Sequence, residues 1–159
     1  MTGAGAVEER LALRELADRY AQAVDRGRQD LFAELFCAGA HMSLPHPKGS
    51  HRPNLVFDSA DGWAKLWSAR PPWVGSTHLT GNQVMAVAGD EATGETYCLA
   101  HELYERGDGL RMVTRSVRYL DVCRRESGSW RFHSRELVID WSDERPLRKP
   151  SHEPRGGRS

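Results

Sequence analysis

The second half of the chain carries four long apolar-rich stretches, at about 76–88, 91–106, 110–125 and 129–141. Only Ala88-Gly89-Asp90, Gly107-Asp108-Gly109 and Ser127-Gly128 separate them. Glycine with Asp or Ser is the chemistry of tight hairpin turns. Connections this short cannot cross over a sheet, so consecutive strands must be antiparallel neighbours. Strands of this length normally bend, often at a bulge. The spacing therefore predicts a four-strand meander with strong curvature.

The first half reads as helix. From Val7 to Val24 the apolar residues Leu13, Leu16, Tyr20 and Val24 recur at spacings of three and four. Gly27 is free to take the left-handed backbone that ends a helix. A shorter helix starts near Gln29 or Asp30, turns Leu31, Phe32, Leu35 and Phe36 inward, and stops at Ala38-Gly39. His41-Met42-Ser43-Leu44 then reads as a short strand. Pro45, Pro47, Gly49 and Pro53 make residues 45–57 a loop. A third helix is expected with Ser59 as N-cap, Trp63, Leu66 and Trp67 on one face, and Arg70-Pro71-Pro72 at its end. Helices followed by a meander make an α+β fold with the helices on one sheet face. One domain at 6–143 is expected, with residues 1–5 disordered and a disordered tail at 144–159, where proline, glycine and charge replace apolar residues.

Charge narrows the function. The formal net charge is +0, which argues against a nucleic-acid or anionic-membrane binder. No run approaches the roughly 18 apolar residues of a membrane span. The first residues lack the charged and apolar regions of a signal peptide. Cys37, Cys98 and Cys123 form no CxxC pair, so reduced cysteines and a cytoplasmic setting are expected. His41, His46 and His51 have no regular metal-ligand spacing. No G-x-S-x-G hydrolase elbow is present. Arg111, Arg115 and Arg118 read as a charged strand face, from which one could reach a ligand carboxylate.

Three polar residues stand apart. Asp25 sits just before Gly27, at the helix end where the dipole disfavours a negative charge. His78 opens a strand, and His101 lies within another. Alternation puts Tyr97, Leu99, His101 and Leu103 on one face, which would be the interior. A carboxylate and two imidazoles that converge can move protons near pH 7. Each also has a plainer reading: Asp25 as a solvated helix end, His78 bonded to a carbonyl, His101 and Tyr20 as core residues.

The order of these elements resembles the SnoaL-like, nuclear-transport-factor-two-like superfamily over about residues 6–142. The phrases that carry the resemblance are Leu16-Ala-Asp-Arg-Tyr-Ala-Gln-Ala-Val-Asp25-Arg-Gly, Leu31-Phe-Ala-Glu-Leu-Phe36, Ser76-Thr-His-Leu-Thr-Gly-Asn82, Val117-Arg-Tyr-Leu-Asp-Val-Cys and Gly128-Ser-Trp-Arg-Phe-His-Ser-Arg-Glu-Leu-Val-Ile-Asp-Trp141. It implies a cone-shaped roll, helices closing a strongly bent, mixed sheet. Asp25, His78 and His101 match the polar set of the scytalone dehydratases, and Tyr20 and His78 match the bile-acid 7α-dehydratases. Two tyrosines and an asparagine of the scytalone pattern fall on Val24, Leu44 and Tyr119, so the same substrate is not expected.

The resemblance implies a cofactor-independent, metal-free dehydratase or cyclase acting on a hydroxylated cyclic or polyketide-type molecule in natural-product biosynthesis. His78, held by Asp25, would be base and then acid, and His101 and Tyr20 would donate to the substrate oxygen. Trp63, Trp67, Trp73, Tyr104, Tyr119 and Trp141 would form an aromatic wall, although tryptophans also serve as plain core. An isomerase or pericyclic cyclase, an aromatic-ligand binding protein and an oxygenase small subunit remain open. The uncovered sheet face is expected to meet another copy in a homo-oligomer.

Overall fold

A computed structural model describes residues 3–46, 53–58, 60–68, 73–107 and 109–147. The elements run α1 (Gly3–Asp25), α2 (Gln29–Glu34), β1 (Phe36–Leu44), β2 (Leu55–Phe57), α3 (Ala60–Ser68), β3 (Gly75–Ala88), β4 (Glu91–Arg106), β5 (Gly109–Glu126) and β6 (Ser129–Pro146). The strands form one open mixed sheet in the order β2-β1-β6-β5-β4-β3. β3 to β6 are the expected antiparallel meander, and β1 joins β6 in parallel. The result is the α+β cone: helices laid against the inner face of a bent sheet.

The bends have local causes. β3 carries an extra residue between Thr80 and Gln83, and α1 docks there through Arg14, which donates to the Thr80 and Gly81 carbonyls. Gly94 on β4 lets the neighbouring β3 come close. A Cβ there would stand 2.1 Å from the Val84 carbonyl oxygen. A second bulge on β6, opposite Ser116 and Val117, inserts Asp140.

The core lies between α1 and the sheet, where Leu13, Leu16, Tyr20, Phe32, Tyr119, Trp130 and Phe132 are buried. Beneath the two tyrosines lies a buried cation. The Arg135 side chain, only 1% exposed, makes two 2.8 Å bonds to Asp121. Its guanidinium carbon also lies 3.8–4.2 Å from the ring centroids of Tyr20, Tyr119 and Phe132. A buried charge persists only when paired in this way.

Several boundaries move. α1 begins at Gly3, inside the stretch expected to be disordered. β1 spans nine residues instead of four, because Gly39 at φ 72 lets the chain bulge between Phe36 and His41 and keep pairing with β6. The expected loop contains β2, whose Leu55 to Phe57 pair with β1. β6 continues to Pro146, where it still faces Arg111. Pro47, Gly49, His51, Ser59, Arg70-Pro71-Pro72, Asp108 and the tail from 148 lie outside the described residues. The three cysteines are buried and free. Among the described residues, no helix is long and apolar enough to cross a membrane.

Candidate functional site

α1 ends as its sequence predicts, and its ending places Asp25. Arg28 N donates to the Ala23 carbonyl and Gly27 N to the Val24 carbonyl, with Gly27 at φ 64. This Schellman closure fixes the last helical turn. From that turn the Asp25 carboxylate reaches β3. Oδ1 accepts from the Ser76 hydroxyl at 2.8 Å and lies 2.7 Å from His78 Nδ1, while Oδ2 accepts from the His78 backbone N–H at 2.8 Å. The side chains of His78 and Asp25 are 8% and 18% exposed. Burial pushes the Asp25 carboxyl upward, but the bonds from the His78 ring, the His78 backbone and Ser76 outweigh it and hold the group below the usual carboxylate range.

A carboxylate at Nδ1 places the imidazole proton on that nitrogen and leaves the Nε2 lone pair for chemistry. His78 lines a hollow of about 390 Å³. Tyr20, Val24 and Phe32 close it from the helices. Met42, Leu44, Leu55, Phe57, Leu66, Trp67 and Trp73 form one side, and Val117, Tyr119, Leu137 and Ile139 cover the sheet. Its polar lining is His78, Glu102 and Arg115, with the two tyrosines. Mostly apolar walls with a few converging polar groups suit a small-molecule site. On its other side the dyad borders a polar recess lined by Asp18, Gln22, Arg26 and Thr80.

The expected site residues divide. Asp25, His78, Tyr20, Trp67, Trp73 and Tyr119 meet at or around the hollow. Burial pushes the Tyr20 phenol up to about 12, so it stays protonated, and its hydroxyl donates to Met42 Sδ at 3.8 Å. Tyr119 is likewise buried, bonded to Cys98, and held well above its ordinary value by that burial. Trp63 packs edge-on against Phe32 and at a tilt against Phe36 as core, with ring centroids 5.8 and 4.8 Å away. Tyr104 bonds Glu144 near the end of β4 and does not line the hollow.

Two residues face the wrong way. His101 lies on the outer sheet face, its Nδ1 3.0 Å from Thr114 Oγ1 on the next strand. Its strand neighbours Ala100 and Glu102 are the ones that line the hollow. Tyr97 and Leu99 share the outer face and are 44% and 39% exposed. The apolar alternation of β4 therefore belongs to the outer face, not to the interior that the sequence pattern predicts. Trp141 is 52% exposed because the extra residue Asp140 reverses the alternation, setting Trp141 opposite the outer-facing Ser116.

The pair that sequence reasoning missed is Glu102 with Arg115, hydrogen-bonded within the hollow's lining. The hairpin at Gly107 could have revealed it. Counting back from that turn sets Ala100 opposite Arg115, and His78 pairs with Ala100 on the other side. His78, Ala100 and Arg115 thus form one cross-strand row.

Fold and site together define a small-molecule-processing cone of the nuclear-transport-factor-two-like class. Residues 5–136 match the SnoaL-like domain family, and the chain belongs to it. No curated protein matches the chain. Among solved structures it is similar to a candidate scytalone dehydratase from Novosphingobium aromaticivorans DSM 12444, at 22% identity and TM-score 0.71, covering 93% of this chain and 94% of that one. It is similar to hexachlorocyclohexane dehydrochlorinase LinA-type3 from Novosphingobium barchaimii LL02, at 17% identity and TM-score 0.71, covering 87% and 91%. The β subunit of a candidate aromatic-ring-hydroxylating dioxygenase from N. aromaticivorans aligns at 22% identity and TM-score 0.68, covering 86% and 92%. At these identities the likeness establishes the fold.

Proposed function

We propose that the protein is a cofactor-independent lyase that eliminates water from a hydroxylated cyclic or polyketide-type carbonyl compound. The observation that carries this reading is the His78–Asp25 contact of 2.7 Å at the wall of an apolar hollow. The names of two similar folds, a candidate dehydratase and a dehydrochlorinase, fit an elimination.

The steps balance without an added reagent. His78 Nε2 takes the proton α to the carbonyl, and the C–H electron pair moves onto the carbonyl oxygen as an enolate. The enolate then re-forms the carbonyl and expels the β-hydroxyl, which leaves as water with the proton returned by His78. Asp25 holds the ring in one tautomer and stabilises the imidazolium between the two transfers. A hollow of about 390 Å³ suits a molecule of two or three rings, at the lower end of the roughly 300–1,000 Å³ typical of ligand sites. The polar recess behind the dyad gives its proton a route to water that avoids the apolar side.

The test is a panel of β-hydroxy ring ketones followed by mass. The expected product is lighter by one water, and His78→Ala abolishes it. A product of unchanged mass that needs His78 would make the protein an isomerase or cyclase instead. The outer face, with Leu79, Tyr97, Leu99 and Trp141 exposed, is read as the contact to a second copy. Sedimentation of Leu99→Glu as a smaller species than wild type tests that.

A further inference from the structure

Proton abstraction beside a carbonyl needs a donor for the oxygen that becomes negative. The two donors expected from the sequence do not fill that place. His101 is on the outer face, bonded to Thr114, and the Tyr20 hydroxyl is turned to Met42 Sδ. Arg115 is on the inner face and lines the hollow together with His78.

The sheet register fixes the distance between them. His78 pairs with Ala100, and Ala100 with Arg115. The two Cα atoms are therefore two strand spacings apart, about 9–10 Å. Both side chains rise from the same face, and between them stands only a methyl group. A ring edge fits over Ala100 with a C–H toward the imidazole and a carbonyl toward the guanidinium.

Arg115 is also held for this. One Nη1 bond goes to Glu102, which is 8% exposed and next to Ala100 in the same lining. Among the described residues the other guanidinium N–H groups have no partner. Glu102 thus fixes one edge of the fork and balances its charge, leaving the other edge for a ligand. Burial lowers Arg115 from its ordinary value, yet a guanidinium stays charged through the physiological range.

We infer that Arg115, aimed by Glu102, is the oxyanion anchor of the hollow, and that the substrate presents a ring carbonyl to it. This rests on the acid–base reading of His78, but the test does not require turnover. The probe is 2-naphthol, whose naphtholate form has the shape and charge of a ring enolate. Binding is followed by the absorbance and fluorescence that distinguish naphthol from naphtholate.

Wild type is expected to bind naphtholate more tightly than naphthalene, and to lower the pH at which the bound naphthol ionises. Arg115→Met should weaken naphtholate binding by about tenfold or more and abolish the shift in ionisation, while Arg115→Lys keeps part of both. Because Arg115→Met leaves Glu102 alone in the wall, the double variant Arg115→Met/Glu102→Gln, with a wild-type melting temperature, must show the same loss. His78→Ala removes the base and should still bind naphtholate. Naphtholate bound as well by either Arg115→Met protein, no preference over naphthalene, or no saturable naphthol binding at millimolar concentration would overturn the anchor. Loss of elimination in His78→Ala would be untouched by any of those results.

Discussion

Asp25→Asn changes one atom and should change which nitrogen of His78 carries the proton. The native carboxylate accepts three hydrogen bonds, from the His78 backbone N–H, the His78 ring and the Ser76 hydroxyl. An asparagine offers one carbonyl oxygen and one amide NH2. The backbone N–H cannot turn away, so the carbonyl oxygen must stay with it. The NH2 then faces Nδ1, which can receive it only as an acceptor. The ring proton moves to Nε2, and the lone pair that faced the hollow is lost. A positioned base contributes roughly 10²–10⁴-fold, and elimination should fall by that factor while ligand binding survives. Losing the charge-assisted bonds costs about 1–3 kcal/mol, or about 2–4 °C in melting temperature per kcal/mol for a chain of this size.

The pH dependence has a definite sign. Asp25 is held below the usual carboxylate range. Its contribution is therefore present above the unfolded value of about 3.9 and is lost as pH falls through the folded value. The stability gap between wild type and Asp25→Asn should narrow below about pH 4. Nitrogen NMR of the histidine ring reads the tautomer, and thermal melts across pH read the gap. An unchanged His78 tautomer with undiminished turnover, or a gap that widens in acid, would refute the reasoning.

Other positions test the frame. Arg135→Met leaves Asp121 buried and unpaired beneath Tyr20 and Tyr119, and should cost about 3–5 kcal/mol in a denaturant melt. Gly94→Ala must push a Cβ into the Val84 carbonyl and should destabilise by about 1–3 kcal/mol. Its melting temperature falls while any protein that folds keeps its activity. His101→Ala should keep full turnover and shift stability by no more than about 0.5 kcal/mol, since the ring lies outside the hollow.

Turn chemistry made most of the fold legible. Glycine-bearing turns fixed the four strands of the meander to within a few residues, and Gly27 fixed the end of α1. What failed was the choice of face. The outer face of β4 carries Tyr97 and Leu99, while the inner face carries Thr96, Cys98, Ala100 and Glu102. Small and polar residues lie inside there because α1 packs closely on the adjoining β3, whose Gln83 bonds Thr96, and because a charged pair occupies the wall. With apolar side chains on both faces, hydrophobic alternation cannot say which one is covered. The bulge at Asp140 misled in a second way: an inserted residue leaves no mark in an alternating pattern, yet it turned Trp141 outward. Glu102 and Arg115 were hidden because charged residues on a strand normally mark the solvent face.

Proton removal by His78 is the step on which elimination, isomerisation and cyclisation all depend. Deuterium uptake at the carbon beside the carbonyl of 2-tetralone, followed by NMR in heavy water, measures it directly. Wild type should exchange that hydrogen faster than buffer, with His78→Ala and Asp25→Asn both returned to the buffer rate. Exchange by His78→Ala equal to that of wild type, or a wild type no faster than buffer, would contradict the account.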